Sequence, residues 1–328
     1  MIRFGVIGTN FITDWFIYGG SLHKDFKVTA VYSRTYDKGK AFANKHSIEN
    51  IFTDLNAMAN SDLIDAVYIA SPNSLHMSQA VLFLKNKKHV LCEKPIASNS
   101  KELKTMIEAA KDNNVLLMEA LKSSFLPNFK AIEDNIYKIG KIRRYFASFC
   151  QYSSRYDKYK EGTILNAFNP EFSNGALMDI GVYCIYPMLK LFGKPQSLKA
   201  TGMLLDSGVD GEGCVLANYE DMDGIIMYSK IANSYLPCEI QGENGSIIID
   251  SISNIKSVKI HYKNGDIEDI SRHQVDKNMF YEIDEFISLI NTNKNESAIN
   301  SMSLSLIVSE VMEEIRKDIG LKFPADLK

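Results

Sequence analysis

The sequence predicts an α/β protein in two parts. An N-terminal doubly wound parallel sheet is followed by an α+β part with a large, mostly antiparallel sheet. The chain has 328 residues, which is too long for one ordinary hydrophobic core. In residues 1–120, short apolar runs alternate with helix-length segments, a pattern typical of βαβ units. From residue 142 the pattern changes to strand-like runs joined by hairpin turns. We therefore place the domains at 1–120 and 121–328.

The first domain is predicted to alternate short apolar strands with helices. The predicted strands are residues 2–7, 27–32, 51–52, 66–70, 89–92 and 115–118. The predicted helices start at residue 11 and then cover 38–46, 55–59, 75–86 and 101–113. Helices between successive strands require crossover connections, so the sheet is expected to be parallel.

The second domain is predicted to consist mainly of antiparallel strands. They are residues 144–152, 198–204, 213–219, 224–230, 238–242, 246–250 and 258–262. An apolar helix, 175–192, interrupts them, and helices 279–291 and 303–317 close the chain. Helices must cover one face of this sheet. If the other face is apolar, it predicts a homodimer or homotetramer through the C-terminal sheet.

Composition excludes several classes of protein. Apolar residues make up 45% of the chain, charged residues 23%, and the net charge is −3, so neither nucleic acid nor a membrane surface is an expected partner. The five cysteines are scattered and form no C-x-x-C motif, which argues against a disulfide framework and a structural zinc site. We find no signal sequence and no apolar run near the roughly 18 residues of a spanning helix. We expect a cytoplasmic protein without a metal site.

The turn at residues 8–13 occupies the place of the dinucleotide fingerprint G-x-G-x-x-G/A. It keeps the first glycine, Gly8, while Asn10 and Thr13 stand at the second and third positions. Asparagine tolerates a left-handed backbone, and the N–H groups at the helix start still suit a pyrophosphate. A plain strand-to-helix turn is the alternative. The predicted cofactor contacts of this Rossmann-type turn are Gly8, Thr9, Asn10, Phe11 and Ile12.

The end of the second strand indicates which dinucleotide is bound. An NAD site places Asp or Glu there to hold the ribose hydroxyls. This chain has Ser33 and Arg34, and the nearest acid, Asp37, is already in the next helix cap. A hydroxyl and a planar guanidinium suit a 2′-phosphate. We therefore expect NADP(H) to be preferred, with NAD(H) possible.

Glu93, Lys94 and Pro95 follow a buried strand, at the sheet edge where ligands bind in doubly wound folds. Lys94 is a candidate proton-transfer group, and a surface turn is the alternative. We expect the Lys94–Pro95 peptide bond to be cis.

The strand before it ends at Ser71, and Pro72 forces a turn. We expect Asn73 or Ser74 to cap the next helix. His76 is either packed under this loop or in contact with the cofactor.

The apolar helix 175–192 carries Asp179 and Tyr183 four residues apart, so both are expected on one helical face. An acid facing inward from such a helix needs a partner. Lys94 is the expected one. A capping aspartate and an ordinary half-buried tyrosine are the alternative.

Together these motifs resemble the Gfo/Idh/MocA family, named for glucose-fructose oxidoreductase and inositol dehydrogenase. The resemblance rests first on 8–12, on Ser71-Pro72-Asn73 with His76, and on Glu93-Lys94-Pro95. In the second half, Met118-Glu119-Ala120, Phe125-Leu126-Pro127 and residues 175–184 look most like the branch of glucose-fructose oxidoreductase and dimeric dihydrodiol dehydrogenase. Lys122 and Ser124 depart from that branch, where dihydrodiol-type members carry Trp and Arg, and this puts the dihydrodiol substrate in doubt.

The resemblance implies roles for individual residues. Lys94 matches the family lysine that contacts the nicotinamide ribose and the reacting oxygen, and Asp179 with Tyr183 matches the family's Asp-x-x-x-His/Tyr pair. The further cofactor contacts that we expect are Ser71, Pro72, Asn73, His76, Glu93, Lys94 and Lys122.

The resulting hypothesis is hydride transfer between the nicotinamide and a hydroxyl-bearing carbon of a small polyhydroxylated substrate: a sugar, polyol or cyclitol. Tyr183 donates or accepts the proton, and Lys94 tunes the acidity of Tyr183. Asp179 holds a second hydroxyl or Lys94. The reverse assignment of Tyr183 and Lys94 is the nearest alternative. Lys122 and either Arg155 or Tyr156 complete the expected pocket, shaped by the loop 153–172. An NAD-dependent member of the family, a non-catalytic dinucleotide-binding regulator and a structural protein with a vestigial site are the alternative functions.

Overall fold

The computed structural model describes residues 1–327, and the chain divides into two compact units. One unit comprises Met1–Lys122 and Val275–Ser305, and the other comprises Ser123–Gln274 and the residues from Leu306 onward. The segment 275–305, expected in the second domain, thus lies in the first unit. Its aromatic residues explain this placement, because the ring of Phe286 lies 5.9 Å from that of Phe4 in the core of the first sheet.

The first unit contains a six-stranded parallel sheet within residues 1–327, with the order β3-β2-β1-β4-β5-β6. Its strands are β1 (Ile2–Ile7), β2 (Phe26–Tyr32), β3 (Asn50–Phe52), β4 (Ala66–Ile69), β5 (His89–Glu93) and β6 (Leu117–Ala120). The helices between them are α1 (Phe11–Gly20), α2 (Tyr36–His46), α3 (Leu55–Ala59), α4 (His76–Lys85) and α5 (Ser100–Asn113). The predicted doubly wound sheet is confirmed. Strand order reverses between β1 and β4, which is where ligands bind in such sheets.

Burial explains why the central strands have no polar alternation. Every residue of β4 is 0% exposed, since helices cover both faces of a parallel sheet. Tyr68 of β4 stacks on Phe16 of α1, with ring centroids 3.8 Å apart. This contact fixes α1 above the point where the strand order reverses.

The second unit contains an eight-stranded sheet within residues 1–327, with the order β14-β13-β12-β11-β7-β10-β9-β8. Its strands are β7 (Ile142–Cys150), β8 (Ser197–Leu204), β9 (Asp210–Asn218), β10 (Asp223–Ser229), β11 (Cys238–Gly242), β12 (Gly245–Ile249), β13 (Val258–Tyr262) and β14 (Ile267–Asp269). β7 and β10 pair in parallel and the other neighbours are antiparallel, so the predicted mostly antiparallel sheet is confirmed.

Helices α6 (Pro127–Asn135), α7 (Tyr156–Lys160) and α8 (Val182–Phe192) also belong to the second unit. A π-helical turn, Leu177–Gly181, leads directly into α8. The phenol of Tyr145 in β7 donates a 2.9 Å hydrogen bond to the carbonyl oxygen of Cys184, which holds α8 on the sheet. The chain ends with α9 (Phe280–Asn291) in the first unit and α10 (Met302–Ile319), which begins in the first unit and continues in the second.

One segment, Pro170–Phe192, is long and apolar enough to cross a membrane by length and composition. The expectation that no apolar run approaches this length is therefore wrong. However, 78% of the segment's most apolar window is buried inside the protein, which is typical of a core helix.

Candidate active site

The parallel sheet brings most of the predicted cofactor residues to one edge. Parallel strands end at a common edge, and the turns after β1, β2, β4, β5 and β6 carry them. In chain order, the first predicted cofactor residue in each of these turns is Gly8, Ser33, Ser71, Lys94 and Lys122.

The turn between β1 and α1 depends on a glycine. Gly8 has a φ of 107°, and a Cβ atom there would lie 2.7 Å from the carbonyl oxygen of Ala70. Only glycine fits this close approach to the end of β4. Asn10 is extended, with a φ of −102°, and its side chain accepts a 3.1 Å hydrogen bond from the N–H of Ile12. Asn10 does not adopt the left-handed conformation that asparagine tolerates, because the residue acts as the N-cap of α1.

This turn fits the pyrophosphate of a dinucleotide. Asn10 and Phe11 are exposed at the start of α1, where the helix N-terminus favours an anion, and the N–H of Ile12 is bonded to the Asn10 side chain. The acid in the first turn is Asp14, whose carboxylate oxygens lie 2.6 Å from Nε2 of His46 and 2.8 Å from Nζ of Lys45. A phosphate group would therefore meet a helix N-terminus whose nearby carboxylate is already paired.

The end of β2 fits a 2′-phosphate. Ser33 is buried, and its N–H donates a 3.0 Å hydrogen bond to the carbonyl oxygen of Phe52. Arg34 is exposed, and within residues 1–327 its guanidinium has no hydrogen-bond or ion-pair partner. The exposed Lys38 follows in the first turns of α2. A free guanidinium beside a hydroxyl can form a two-pronged contact with a phosphate.

His76 joins the loops that follow β4 and β5. Its side chain is fully buried, with Nδ1 3.1 Å from the carbonyl oxygen of Pro95 and Nε2 2.9 Å from that of Ser71. Burial lowers the pKa of His76, so the neutral ring donates to one of the two carbonyls at a time. His76 therefore connects the two loops through their backbone carbonyl groups.

The capping expected of Asn73 or Ser74 is not what the loop shows. Residues Asn73–Leu75 form a 3₁₀ turn, and the cap position of α4 is Leu75. The Ser71 hydroxyl donates a 2.7 Å hydrogen bond to Oε1 of Gln79, which attaches the loop to α4 instead.

Lys94 is half-buried at the end of β5, and its peptide bond to Pro95 is cis, as predicted. The N–H of Lys94 donates a 3.3 Å hydrogen bond to Oε2 of Glu93, and the phenol of Tyr68 donates a 2.5 Å hydrogen bond to Oε1. Glu93 is buried, and burial raises its pKa against the opposing influence of Lys94, Tyr68 and Lys122. The loop that carries Lys94 thus rests on a buried carboxyl group. Tyr68 was not singled out from the sequence, because it lies inside an unbroken apolar strand.

Lys122 follows β6, with Nζ 5.4 Å from the centroid of the Trp15 ring. Burial lowers the pKa of Lys122, and the charges of Glu282 and Glu93 oppose this effect. Glu282 of α9 is fully buried, and within residues 1–327 neither of its carboxyl oxygens has a hydrogen-bond partner. Burial raises the pKa of Glu282 well above its ordinary value, and the charge of Glu93 adds to this. Glu282 was missed from the sequence because its position on α9 looks unremarkable there.

In the second unit, Asp179 is paired with a lysine that the sequence did not single out. Nζ of Lys230 lies 2.5 Å from Oδ2 of Asp179. The Lys230 side chain is 4% exposed and the Asp179 side chain 34% exposed. The ammonium also lies 5.2 Å from the centroid of the Phe168 ring. The ion pair fixes Asp179, whose side chain stays one-third exposed.

The backbone around Asp179 is a π-helical turn and not the α-helix expected from the apolar spacing. Its start is held by Asp210, whose Oδ2 accepts a 2.7 Å hydrogen bond from the N–H of Leu177. Gly175, with a φ of 141°, lies against the same carboxyl group, and a Cβ atom there would collide with Oδ1. Single π-turns within helices occur frequently at functional sites.

Tyr183 lies in the first turn of α8, is 9% exposed, and packs edge-on against Phe149 with ring centroids 5.8 Å apart. Asp179 and Tyr183 are four residues apart across the π-turn, so they remain within about one helical turn of each other. In the loop 153–172, Arg155 is exposed, and Tyr156 packs against the rings of Tyr159 and Phe168. Among residues 1–327, no group of three or more His, Cys, Asp or Glu side chains is placed to hold a metal ion.

Comparison with known proteins gives matches over most of the chain. A family model described as "Oxidoreductase family, NAD-binding Rossmann fold" matches residues 2–121, and one described as "GFO/IDH/MocA C-terminal domain" matches residues 135–248. The scyllo-inositol 2-dehydrogenase (NADP(+)) IolU of Bacillus subtilis (strain 168) is 55% identical over 326 residues, covering 99% of each chain. A trans-1,2-dihydrobenzene-1,2-diol dehydrogenase of Xenopus laevis is 30% identical over 347 residues, covering 98% of this chain and 99% of that protein.

The same fold is found in solved structures. KijD10, a 3-ketoreductase from Actinomadura kijaniata solved with NADP and TDP-benzene, matches with a TM-score of 0.84 at 23% identity, over 97% of this chain and 98% of its own. The sequence relatives confirm the resemblance inferred from the motifs, including its dihydrodiol dehydrogenase branch. The protein is thus an NAD(P)-dependent oxidoreductase, and the chain belongs to the GFO/IDH/MocA family.

Proposed function

We propose that this protein is an NADP(H)-dependent dehydrogenase that acts on a hydroxyl-bearing carbon of a sugar, polyol or cyclitol. The observation that carries the proposal is the Lys94 loop: an amine at the ligand edge of the sheet, with its backbone held by Glu93 and His76. The relative IolU, 55% identical over nearly its whole length, is named as an NADP(+)-dependent scyllo-inositol 2-dehydrogenase. A cyclitol is therefore the first substrate to test.

The cofactor would be held by the strand-end loops of the first unit. The helix N-terminus at residues 8–12 would bind the pyrophosphate. Ser33 and the unpaired Arg34 would bind the 2′-phosphate, since a guanidinium matches a phosphate in shape and charge. Lys94, Lys122 and the loop 71–73 would line the nicotinamide end. When bound, the nicotinamide accepts or supplies the hydride, and that chemistry belongs to the cofactor.

The chain itself would supply proton transfer and substrate orientation. A hydroxyl that is oxidised must lose its proton as the hydride leaves, so a base within hydrogen-bond reach is required. We assign this step to Tyr183 and give Lys94 the task of orienting the reacting oxygen and tuning Tyr183. The reverse assignment of these two residues remains the alternative. Asp179, held by Lys230 and with its side chain one-third exposed, would bind a neighbouring hydroxyl.

Initial rates with a panel of substrates test the proposed function. The panel contains scyllo-inositol, myo-inositol, aldoses and linear polyols, each measured with NADP⁺ and with NAD⁺. We expect turnover with at least one cyclitol or sugar and a higher kcat/KM with NADP⁺. Turnover with none of them, although NADPH binds, would favour a non-catalytic dinucleotide-binding protein.

Two substitutions separate the catalytic from the cofactor assignments. Lys94→Met should abolish turnover and leave NADPH binding largely intact, as followed by quenching of Trp15 fluorescence. Lys85→Met, at an exposed position of α4, is the matched control. Arg34→Gln should raise the KM for NADP⁺ by about 10- to 100-fold, the effect of losing a hydrogen bond to a charged group, and should change the KM for NAD⁺ little. Full activity of Lys94→Met would refute the catalytic assignment.

We also propose that the large sheet mediates a homodimer or homotetramer. On the face opposite α8, cross-strand register aligns a row of apolar residues: Leu216, Ile225, Phe146 and, beyond Glu239, Ile248. Leu216 is 53% exposed in the single chain. Leu216→Glu should shift the mass measured by light scattering towards the monomer, whereas Leu63→Glu, in the first unit, should not. A monomeric wild-type protein at micromolar concentration would rule out the proposed assembly.

A cytoplasmic location is proposed on the state of the cysteines. Cys92, Cys150, Cys184, Cys214 and Cys238 are all unpaired. Free thiols suit a reducing compartment. Fractionation of the native host would test this, and recovery of the protein outside the cytoplasm would refute it.

A further inference from the structure

Glu119 of β6 links the Lys94 loop to the start of α10. The residue is 2% exposed. Its Oε1 accepts a 3.1 Å hydrogen bond from the N–H of Ile96, and its Oε2 accepts a 2.6 Å hydrogen bond from the hydroxyl of Ser305. Its backbone carbonyl accepts a 3.1 Å hydrogen bond from the side chain of Asn300. All of these residues belong to the first unit, so a single buried carboxyl group connects two of its segments.

The Ile96 amide is the first N–H group after the cis Lys94–Pro95 peptide bond, because proline has none. The neighbouring carbonyl of Pro95 accepts from His76, and the carbonyl of Ile96 accepts from the Cys92 thiol at 3.8 Å. The Ile96 amide, in contrast, donates to the carboxyl group of Glu119, and the strength of that group as an acceptor depends on its ionisation. A carboxylate accepts more strongly than a neutral acid.

We propose that Glu119 is a positioning residue for Lys94: its carboxylate fastens the loop just after the cis peptide bond, and its protonation loosens that loop. This inference rests on the proposed role of Lys94 in turnover. Glu119 acts through the Ile96 amide and is therefore not a catalytic residue.

The surroundings of Glu119 place its ionisation in the neutral range. Burial raises its pKa to about 7, the hydrogen bonds from Ser305 and Ile96 oppose this, the charge of Glu93 adds to it and the charge of Lys94 opposes it. The Cys92 thiol, on the neighbouring strand β5, also faces this group, and burial keeps it neutral by raising its pKa well above the ordinary value. The fastened form therefore dominates above about pH 7, and activity should rise with pH through this range.

Glu119→Gln and Ser305→Ala test the proposal. Glutamine keeps a carbonyl oxygen for the Ile96 amide but cannot ionise, so we expect kcat to fall about tenfold, the effect of weakening one charge-assisted hydrogen bond. The rise of activity with pH near 7, the limb of the pH profile assigned to Glu119, should disappear, with little change in the KM for NADP⁺. Ser305→Ala removes a hydrogen bond that favours the carboxylate, so the limb should move to higher pH. Ser303→Ala, an exposed serine of the same helix, should behave as wild type.

Hydrogen–deuterium exchange at the Ile96 amide gives a readout that does not need turnover. After correction for intrinsic exchange, we expect faster exchange in Glu119→Gln, and faster exchange in wild type below pH 7 than above it. An unchanged pH profile and unchanged exchange in Glu119→Gln, or an unmoved limb in Ser305→Ala, would overturn the proposal. If wild type shows no turnover but its exchange still depends on Glu119, the positioning role stands and the proposed function fails.

Discussion

The Asp179–Lys230 ion pair predicts unequal effects of its two single substitutions on the free energy of unfolding. The direct attraction at 2.5 Å is about 7 kcal/mol with an effective dielectric constant of ~20, and burial of the ammonium offsets much of it. Asp179→Asn leaves a 4% exposed ammonium without this partner, so we expect a loss of about 3 kcal/mol. Lys230→Met leaves an Asp179 side chain that is one-third exposed and less deeply buried than the lysine, so we expect a smaller loss of about 1 to 2 kcal/mol.

The double variant, Asp179→Asn with Lys230→Met, measures the coupling directly. The double variant should lose about 2 kcal/mol less free energy of unfolding than the sum of the two single variants. The reason is that the second substitution removes a charged group that has already lost its partner through the first. Urea unfolding followed by far-ultraviolet circular dichroism is the suitable assay, because the chain's single tryptophan, Trp15, lies in the other unit. Additivity within about 0.5 kcal/mol would show that the two charges are not energetically coupled, and would refute this reasoning.

Three further predictions concern single residues. Gly8→Ala should lower the free energy of unfolding by about 2 to 4 kcal/mol and weaken NADPH binding, because an alanine at φ 107° is strained and meets the Ala70 carbonyl; a thermal shift within error of wild type would contradict this. Tyr68→Phe should cost about 1 to 3 kcal/mol, since buried Glu93 loses its phenol donor, and an unchanged urea midpoint would argue against that hydrogen bond. Burial raises the pKa of Asp210 to about 6 in the folded protein, so folding favours the protonated form. Wild type should therefore lose up to about 3 kcal/mol as pH rises from about 4 to 6, a dependence that Asp210→Asn should remove and that parallel urea titrations can measure.

The sequence predicts the first sheet well because its signals are local. Each strand is a short apolar run, and each following turn carries its own chemistry, as at Gly8 and at Glu93-Lys94-Pro95. Strand β6 is the exception: it begins two residues later than expected and ends at Ala120, so that Glu119 lies within it. Local pattern cannot place a strand end when apolar residues continue on both sides.

The residues that were missed act through contacts distant in sequence. Lys230 meets Asp179 across 51 residues, and Ser305 meets Glu119 across 186. Helix α6 was not predicted, although it begins with Pro127 and a proline is common in the first turn of a helix. The π-turn at Asp179 was missed because apolar periodicity does not distinguish it from an α-helix. The two long-range pairs follow from packing between elements and not from the residues within one element.

The return of residues 275–305 to the first unit makes that unit discontinuous along the chain. A fragment that stopped at residue 122 would lose α9, whose Phe286 ring packs on Phe4, and would leave the carboxyl group of Glu119 without the Ser305 hydroxyl. Such a fragment would expose apolar surface that the whole chain covers. Excision, domain exchange with a relative, or fusion of a reporter after residue 122 should therefore produce insoluble or loosely folded material, whereas grafts that keep both segments together should remain compact.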